Sequence, residues 1–139
     1  MKATVRTIDA VDAFRLPNRS VREVFSGANG LAAGCAFRTV DVEPLDESDP
    51  RVPHVHRHME EIIVVAHGQG ALWVDGEWTR VSGGDAWIVP AGLAHATVNP
   101  GPDTLRLYCF FSSPRPEADY EEFPDRPLSD WRAAWDEGT

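Results

Sequence analysis

The chain has 139 residues, of which 42% are hydrophobic and 25% are charged, so neither an intrinsically disordered nor a membrane-embedded protein is favoured. Its formal net charge of −9 and isoelectric point near 4.9 argue against nucleic-acid binding, because phosphate groups attract a basic surface. No run of 18 apolar residues is present, so no membrane-spanning helix is expected.

Short strands separated by turns are predicted along most of the chain. Eleven prolines and eleven glycines favour an all-β domain, since both residue types mark turns. Residues 4–25 have a mixed pattern, with a loop at 17–19 and a strong turn signal at 26–30. Apolar and β-branched runs then predict strands over residues 31–44, 61–66, 71–74, 78–81, 86–89, 95–98 and 105–111. Asp75 and Gly76 predict a hairpin turn, and the regular spacing indicates an antiparallel sandwich or barrel.

The C-terminal part of the chain differs in character from the strands before it. Residues 112–128 are rich in proline and are predicted to be extended, lying on their own barrel or on a neighbour's. Ser129 or Asp130 can cap a short helix that places Trp131 and Trp135 on one face, one turn apart. We interpret this helix as a lid or dimer contact held in place by its tryptophans. One domain over residues 1–139 is expected.

All five histidines lie between residues 53 and 99, in two regularly spaced groups. The first group comprises His54, His56, Glu61 and Gly68, and the second comprises Gly84, Pro90, Gly92, His95 and Asn99. Two histidines two positions apart on a strand project to the same face. Turns at 57–60 and 90–92 can bring the carboxylate and the third imidazole beside them. The expected metal ligands are therefore His54, His56, Glu61 and His95.

The two groups resemble the paired motifs of the cupin superfamily, His-x-His-(x)4-Glu-(x)6-Gly and Gly-(x)5-Pro-x-Gly-(x)2-His-(x)3-Asn, with every defining position filled. The resemblance covers residues 34–112, between an N-terminal part (1–33) and the proline-rich tail with its helix (113–139). It implies a double-stranded β-helix, a jelly-roll barrel with the metal in its mouth, and a homodimer. The six-residue step to Gly68 selects Glu61 over Glu60 as the carboxylate ligand.

The nature of the ion stays open at this point. Imidazole and carboxylate ligands suit Fe, Mn, Ni, Co, Zn or Cu as a divalent ion, and the general affinity order singles out none of them. Four protein ligands leave two positions of an octahedral ion for water, dioxygen or an oxygen-bearing substrate.

Further residues are candidates for catalysis or substrate binding. Glu61 could act as a base, and His58 could serve as a proton shuttle or replace a ligand, although a solvent-facing loop position is the alternative. Arg57 or Arg106 could pair with a substrate carboxylate, with a surface role as the alternative. Four aromatic residues on predicted strands could line an apolar pocket or belong to the core: Trp73, Trp87, Tyr108 and Phe110.

The resemblance implies several classes of function. The leading hypothesis is a dioxygenase-type oxidoreductase acting on a small oxygen-rich or aromatic enol. The alternatives are a redox-neutral isomerase, cyclase or lyase, and a non-catalytic module that binds a small ligand through the metal. Cys35 and Cys109 form no disulfide framework, and the first residues lack the apolar segment of a secretory signal, so a cytoplasmic location is expected.

Overall fold

The computed structural model describes residues 2–46, 48 and 50–137. Strands and turns account for most of this part of the chain, with one short α-helix, α1 (Trp131–Glu137), at its C-terminal end. The strands are β1 (Ala13–Leu16), β2 (Arg19–Phe25), β3 (Ala36–Val42), β4 (His54–His56), β5 (Glu61–His67), β6 (Gln69–Val74), β7 (Glu77–Ser82), β8 (Ala86–Val89), β9 (His95–Val98), β10 (Leu105–Phe111) and β11 (Tyr120–Glu122). The predicted all-β class with a C-terminal helix is confirmed.

The strands form two antiparallel sheets. The first has the order β1-β2-β3-β10-β5-β8, and the second has the order β11-β4-β9-β6-β7. The chain passes between the two sheets several times. For example, β4 lies in the second sheet, β5 in the first and β6 in the second again. This crossing brings side chains that are distant in sequence to one interior space. No hydrogen-bonded ring of strands closes the two sheets together in the described residues.

The last long strand, β10, shows how the two faces of the first sheet differ. Leu105, Leu107 and Cys109 alternate inward and are almost fully buried, whereas Phe110 is 43% exposed on the outer face. The main core cluster draws on most strands of the molecule and contains Ala36, Val42, Met59, Ile63, Val65, Leu72, Val81, Val89, Leu105, Leu107, Cys109 and Phe111. Burial of these side chains is the principal stabilising contribution to the fold.

The backbone conformation at two turns explains the residues found there, Asp75 and Gly76 in one turn and Gly68 in the other. Asp75 and Gly76 both have positive φ, 46° and 92°, as the tight hairpin between β6 and β7 requires, so the predicted hairpin is present. Gly68, at φ 96°, passes so close to the neighbouring chain that a Cβ there would lie 2.8 Å from the carbonyl oxygen of Thr104. The last residue of the second motif, Asn99, donates from its amide to the carbonyl oxygens of Val42 and Asp103.

The structure differs from the sequence-based expectations in three segments. The strand expected from residue 31 begins only at Ala36, because residues 27–35 form turns and bends. β11 lies within the proline-rich tail, where no strand was predicted, and it exists because its backbone pairs with β4. The tail therefore packs on its own chain, with Leu128 and Trp131 each 5% exposed. No helix among the described residues is long and apolar enough to cross a membrane.

Candidate metal centre

The four predicted ligands converge from both sheets. His54 and His56 lie on β4, and His54 is directly paired with His95 of β9 in the second sheet. Glu61 begins β5 in the first sheet and faces them across the interior. Each of the four residues contributes one nitrogen or oxygen atom to a group in which all atoms lie within 4.8 Å of one another.

The contacts inside this group leave the correct atoms available for an ion. His95 Nδ1 lies 3.0 Å from the carbonyl oxygen of Leu93, to which a protonated Nδ1 donates. In that tautomer the lone pair of His95 Nε2 points at Glu61 Oε1, 3.0 Å away. His56 Nε2 lies 3.7 Å from the same oxygen. Lone pairs directed at a carboxylate oxygen repel it unless a cation or a proton lies between them, so the donors fit a shared cation.

Burial keeps two of the imidazoles in the neutral form that binds metal. It lowers the pKa of His54 well below its usual value, and the positive charges that His95 and Arg51 can carry lower it further. It also lowers the pKa of His56, whose Nδ1 has no hydrogen-bond partner among the described residues. Neutral imidazoles with one carboxylate fit a divalent transition-metal ion, but they do not select among Fe, Mn, Ni, Co, Zn and Cu.

A cavity of ≈ 450 Å³ opens beside the four donors, which is within the usual size range for a small-molecule site. Its walls are largely apolar and include Val21, Val40, Val42, Ile63, Leu107 and Phe111. Cys109 also lines the cavity, and burial raises the pKa of its thiol, so it stays protonated at neutral pH. The polar lining comes from three arginines, Arg19, Arg38 and Arg51, and from Tyr120, Glu117, Glu122 and Thr97.

Glu61 lies at the cavity, but the three other charged or titratable residues proposed from sequence for catalysis or substrate binding lie elsewhere. The His58 side chain is 85% exposed, with Nδ1 3.4 Å from Asp119. Arg57 forms an exposed ion pair with Glu121. Arg106 is held on the outer face of the first sheet by Asp41 and Asp9. None of the three lines the cavity, because none projects into the space between the sheets.

The four aromatic residues proposed to line the pocket or to belong to the core are also outside the cavity lining. Trp73 belongs to a second core cluster with Ala96 and Leu128, and Trp87 packs against the main core. On β10, Tyr108 and Phe110 point to the outer face, where both contact the ring of Phe37. These positions correct the pocket-lining prediction: strand parity on β10 directs Leu107, Cys109 and Phe111 into the cavity instead.

Sequence reasoning missed Tyr120 and the arginines at positions 19 and 51. Tyr120 reaches the site because β11 pairs with β4 in the register Tyr120 to His56. Its ring centroid lies 5.0 Å from that of His54 and 5.8 Å from that of His56. No periodic pattern marks a three-residue strand in a proline-rich segment, so the sequence carried no signal for it.

Comparisons with known proteins agree with this architecture. A family model described as a cupin domain matches residues 38–111. No curated protein matches the chain. KdgF from Halomonas sp. is 23% identical, with a TM-score of 0.66 over 84% of this chain and 98% of that one. A Streptomyces Pac13 variant with uridine is 14% identical, with a TM-score of 0.71 over 94% and 98%.

A third solved structure is described by its fold. It is an uncharacterized protein with a double-stranded β-helix domain from Klebsiella pneumoniae, 16% identical, with a TM-score of 0.69 over 87% of this chain and 97% of that one. At these identities the likeness concerns the fold alone. It confirms the double-stranded β-helix predicted from the two histidine motifs.

Proposed function

Since this chain belongs to the cupin family, we propose that it is a metal-dependent enzyme that carries out a redox-neutral isomerisation or elimination on a small oxygen-bearing substrate. The observation that carries the proposal is the position of Tyr120, a neutral proton donor, beside the imidazoles at the wall of the cavity.

In such a reaction the four donor residues would hold the ion, and the cavity would hold the rest of the substrate. An ion held by His54, His56, Glu61 and His95 would polarise a carbonyl or hydroxyl oxygen of the substrate. The apolar walls exclude water from the rest of the substrate, which strengthens every electrostatic contact inside the cavity.

Tyr120 supplies the acid that an elimination or isomerisation needs. Burial and the hydrogen bond that its hydroxyl donates to Glu122 together raise its pKa to about 12. The phenol is therefore protonated at neutral pH. When its hydroxyl turns from Glu122 to the substrate, it can give its proton to a leaving or enolic oxygen, and the phenolate then regains a proton from water. Pac13, which shares the fold, is described as a nucleoside dehydratase, a redox-neutral elimination.

A dioxygenase reaction on an aromatic or oxygen-rich enol is the second candidate. The apolar wall formed by Val40, Leu107 and Phe111 favours it, because a hydrophobic pocket suits both dioxygen and an aromatic ring. This candidate uses the same four donors and requires no proton from Tyr120.

Anaerobic turnover separates the candidates. Metal-loaded protein is incubated with a panel of hydroxy acids, keto acids and uridine-derived nucleosides, and products are identified by mass spectrometry with and without oxygen. We expect products of unchanged mass or with loss of water, formed at equal rates in both atmospheres. Incorporation of oxygen atoms together with strict oxygen dependence would establish the dioxygenase. Tight binding of a panel member without any conversion would leave the non-catalytic binding module.

We also propose that the protein is a homodimer formed through the outer face of the first sheet. Ile62, Ile88 and Phe110 are 45%, 54% and 43% exposed and lie side by side on β5, β8 and β10. This uncharged row is where a second copy of a chain of net charge −9 meets least repulsion. Light scattering should give a dimer mass that Ile88→Glu reduces to that of a monomer. Val5→Glu, at a position 87% exposed and away from this row, is the control, and a monomeric wild type contradicts the proposal.

A further inference from the structure

The three arginines that line the cavity differ in their partners. Arg38 donates to Glu23 and Glu117. Arg51 donates from Nε to the carbonyl oxygen of Thr97 at 3.4 Å, and Arg19 donates to the carbonyl oxygen of Pro17 at 3.0 Å. Among the residues that the structure describes, neither of these two guanidinium groups has a carboxylate within ion-pair distance.

Acidic groups outnumber basic ones in this chain by 22 to 13, so carboxylates are abundant as partners for arginines. Six other arginines each pair with at least one carboxylate: Arg15, Arg22, Arg38, Arg57, Arg106 and Arg115. Arg6 donates to backbone carbonyl oxygens, Arg80 and Arg126 lie over tryptophan rings, and none of these three lines the cavity. Arg19 and Arg51, by contrast, are both half-buried and both face the cavity. A cation that is removed from water without a counter-charge raises the free energy of the folded state.

The two unpaired cations also lie close enough to affect each other. Burial, followed by the charge of Arg19, lowers the pKa of Arg51 to about 10. The charge of Glu122, which lines the same cavity, raises the pKa of Arg51. The Glu122 carboxylate, however, accepts a hydrogen bond from the Tyr120 hydroxyl and forms no ion pair with Arg51. Arg51 lies three positions before His54 in the chain, and both residues line the cavity together with Arg19.

We propose that Arg51 and Arg19 form an oxyanion subsite that binds a carboxylate or phosphate of the substrate while another substrate oxygen faces His54, His56, Glu61 and His95. The proposal rests on the function proposed above and adds the substrate class, a small acid with a second oxygen function. A guanidinium fork matches the geometry of both anionic groups. Val42 and Thr97 line the same cavity, whose walls are largely apolar, so the part of the ligand between its two anchors is expected to be apolar.

Calorimetric titration with small anions tests the subsite without requiring turnover. The probes are glutarate, butyrate and inorganic phosphate, titrated into the wild type, Arg51→Gln, Arg51→Lys, Arg19→Gln and the control Arg57→Gln. Arg57 is exposed, pairs with Glu121 and lies outside the cavity lining. Near-ultraviolet circular dichroism of each variant verifies that it is folded.

Arg51→Gln and Arg19→Gln should each weaken the tightest probe about tenfold or more, because each removes a charge-assisted hydrogen bond. Arg51→Lys should keep part of the affinity, and Arg57→Gln should bind as the wild type does. A preference for glutarate or butyrate identifies a carboxylate site, and a preference for phosphate identifies a phosphate site. Equal affinities in all five proteins, or no binding of any probe at millimolar concentration, overturn the proposal.

The same titrations with His95→Ala separate this inference from the proposed function. Binding that depends on Arg51 in a variant without its metal ligand supports the subsite even if no substrate is ever converted. Turnover that is unaffected by Arg51→Gln and Arg19→Gln, with probe binding also unaffected, removes the subsite and leaves the proposed enzyme standing.

Discussion

His95 and Glu61 are 34 positions apart in the chain, and His95 Nε2 lies 3.0 Å from Glu61 Oε1. The two side chains come from different sheets, His95 from β9 and Glu61 from β5, and both are nearly inaccessible to solvent. A contact between an imidazole lone pair and a carboxylate oxygen across the interior is stabilised by a shared cation. The relation of these two residues therefore defines the centre of the candidate metal site.

Removal of one imidazole should remove most of the bound metal. His95→Ala leaves three donors and a space where the ring was. Removing only an outer hydrogen-bond partner of a ligand already lowers metal affinity by roughly tenfold or more, so we expect loss of a ligand to lower it further and to empty most sites. Elemental analysis of protein purified without a histidine tag measures it. His58→Ala, whose side chain is 85% exposed, is the control and should keep its metal. Equal metal content in both variants would contradict the ligand assignment.

Tyr120→Phe should slow turnover while leaving the metal in place. The substitution removes the hydroxyl that donates to Glu122 and keeps the ring that packs near His54 and His56. Loss of a general acid lowers kcat by roughly 10²–10⁴-fold. Tyr108→Phe, on the outer face of β10, is the matched control and should behave as the wild type. A Tyr120→Phe variant with full kcat would mean that the phenol is not the acid.

The metal-free protein should lose stability as the pH falls below about 6.5. Burial lowers the pKa of both His54 and His56 in the folded state, so below their ordinary value the unfolded chain binds protons that the folded chain does not. The free energy of unfolding then decreases by up to about 1.4 kcal/mol per pH unit for each histidine. Urea denaturation in the presence of a chelator measures this slope, which His54→Gln should reduce. A stability that is constant between pH 7.5 and 5 would refute the assignment.

Gly68→Ala should be more destabilising than Gly76→Ala, although the two glycines have similar φ angles, 96° and 92°. A Cβ at Gly76 meets nothing within 4 Å, so only the cost of the left-handed backbone applies, about 1–2 kcal/mol. At Gly68 the same atom would lie 2.8 Å from the carbonyl oxygen of Thr104, and the overlap adds about 1–3 kcal/mol. Urea denaturation of both variants measures the difference. Equal losses would show that the backbone at Thr104 yields freely.

Continuous apolar runs predicted where strands lie, but they did not predict which face of a strand is inward. In β5 the β-branched run from Ile62 to Val65 indicated a strand at once. In β10 the run of apolar residues from Leu105 to Phe111 indicated a strand but not which face is inward. The sequence therefore leaves open whether Tyr108 and Phe110 line the pocket or belong to the core, and the structure places both on the outer face of the sheet.

The sequence by itself determined the four metal-donor candidates, because those residues stand at fixed spacings on strands and turns whose side-chain directions follow from the backbone. Its resemblance to the cupin motifs implied the double-stranded β-helix. Only the tertiary structure decided what surrounds them. Arg19, Arg51 and Tyr120 line one cavity with His54, although β2, the loop before β4 and β11 are three separate parts of the chain. No local pattern encodes such a meeting, since it depends on which strands pair and how the two sheets face each other.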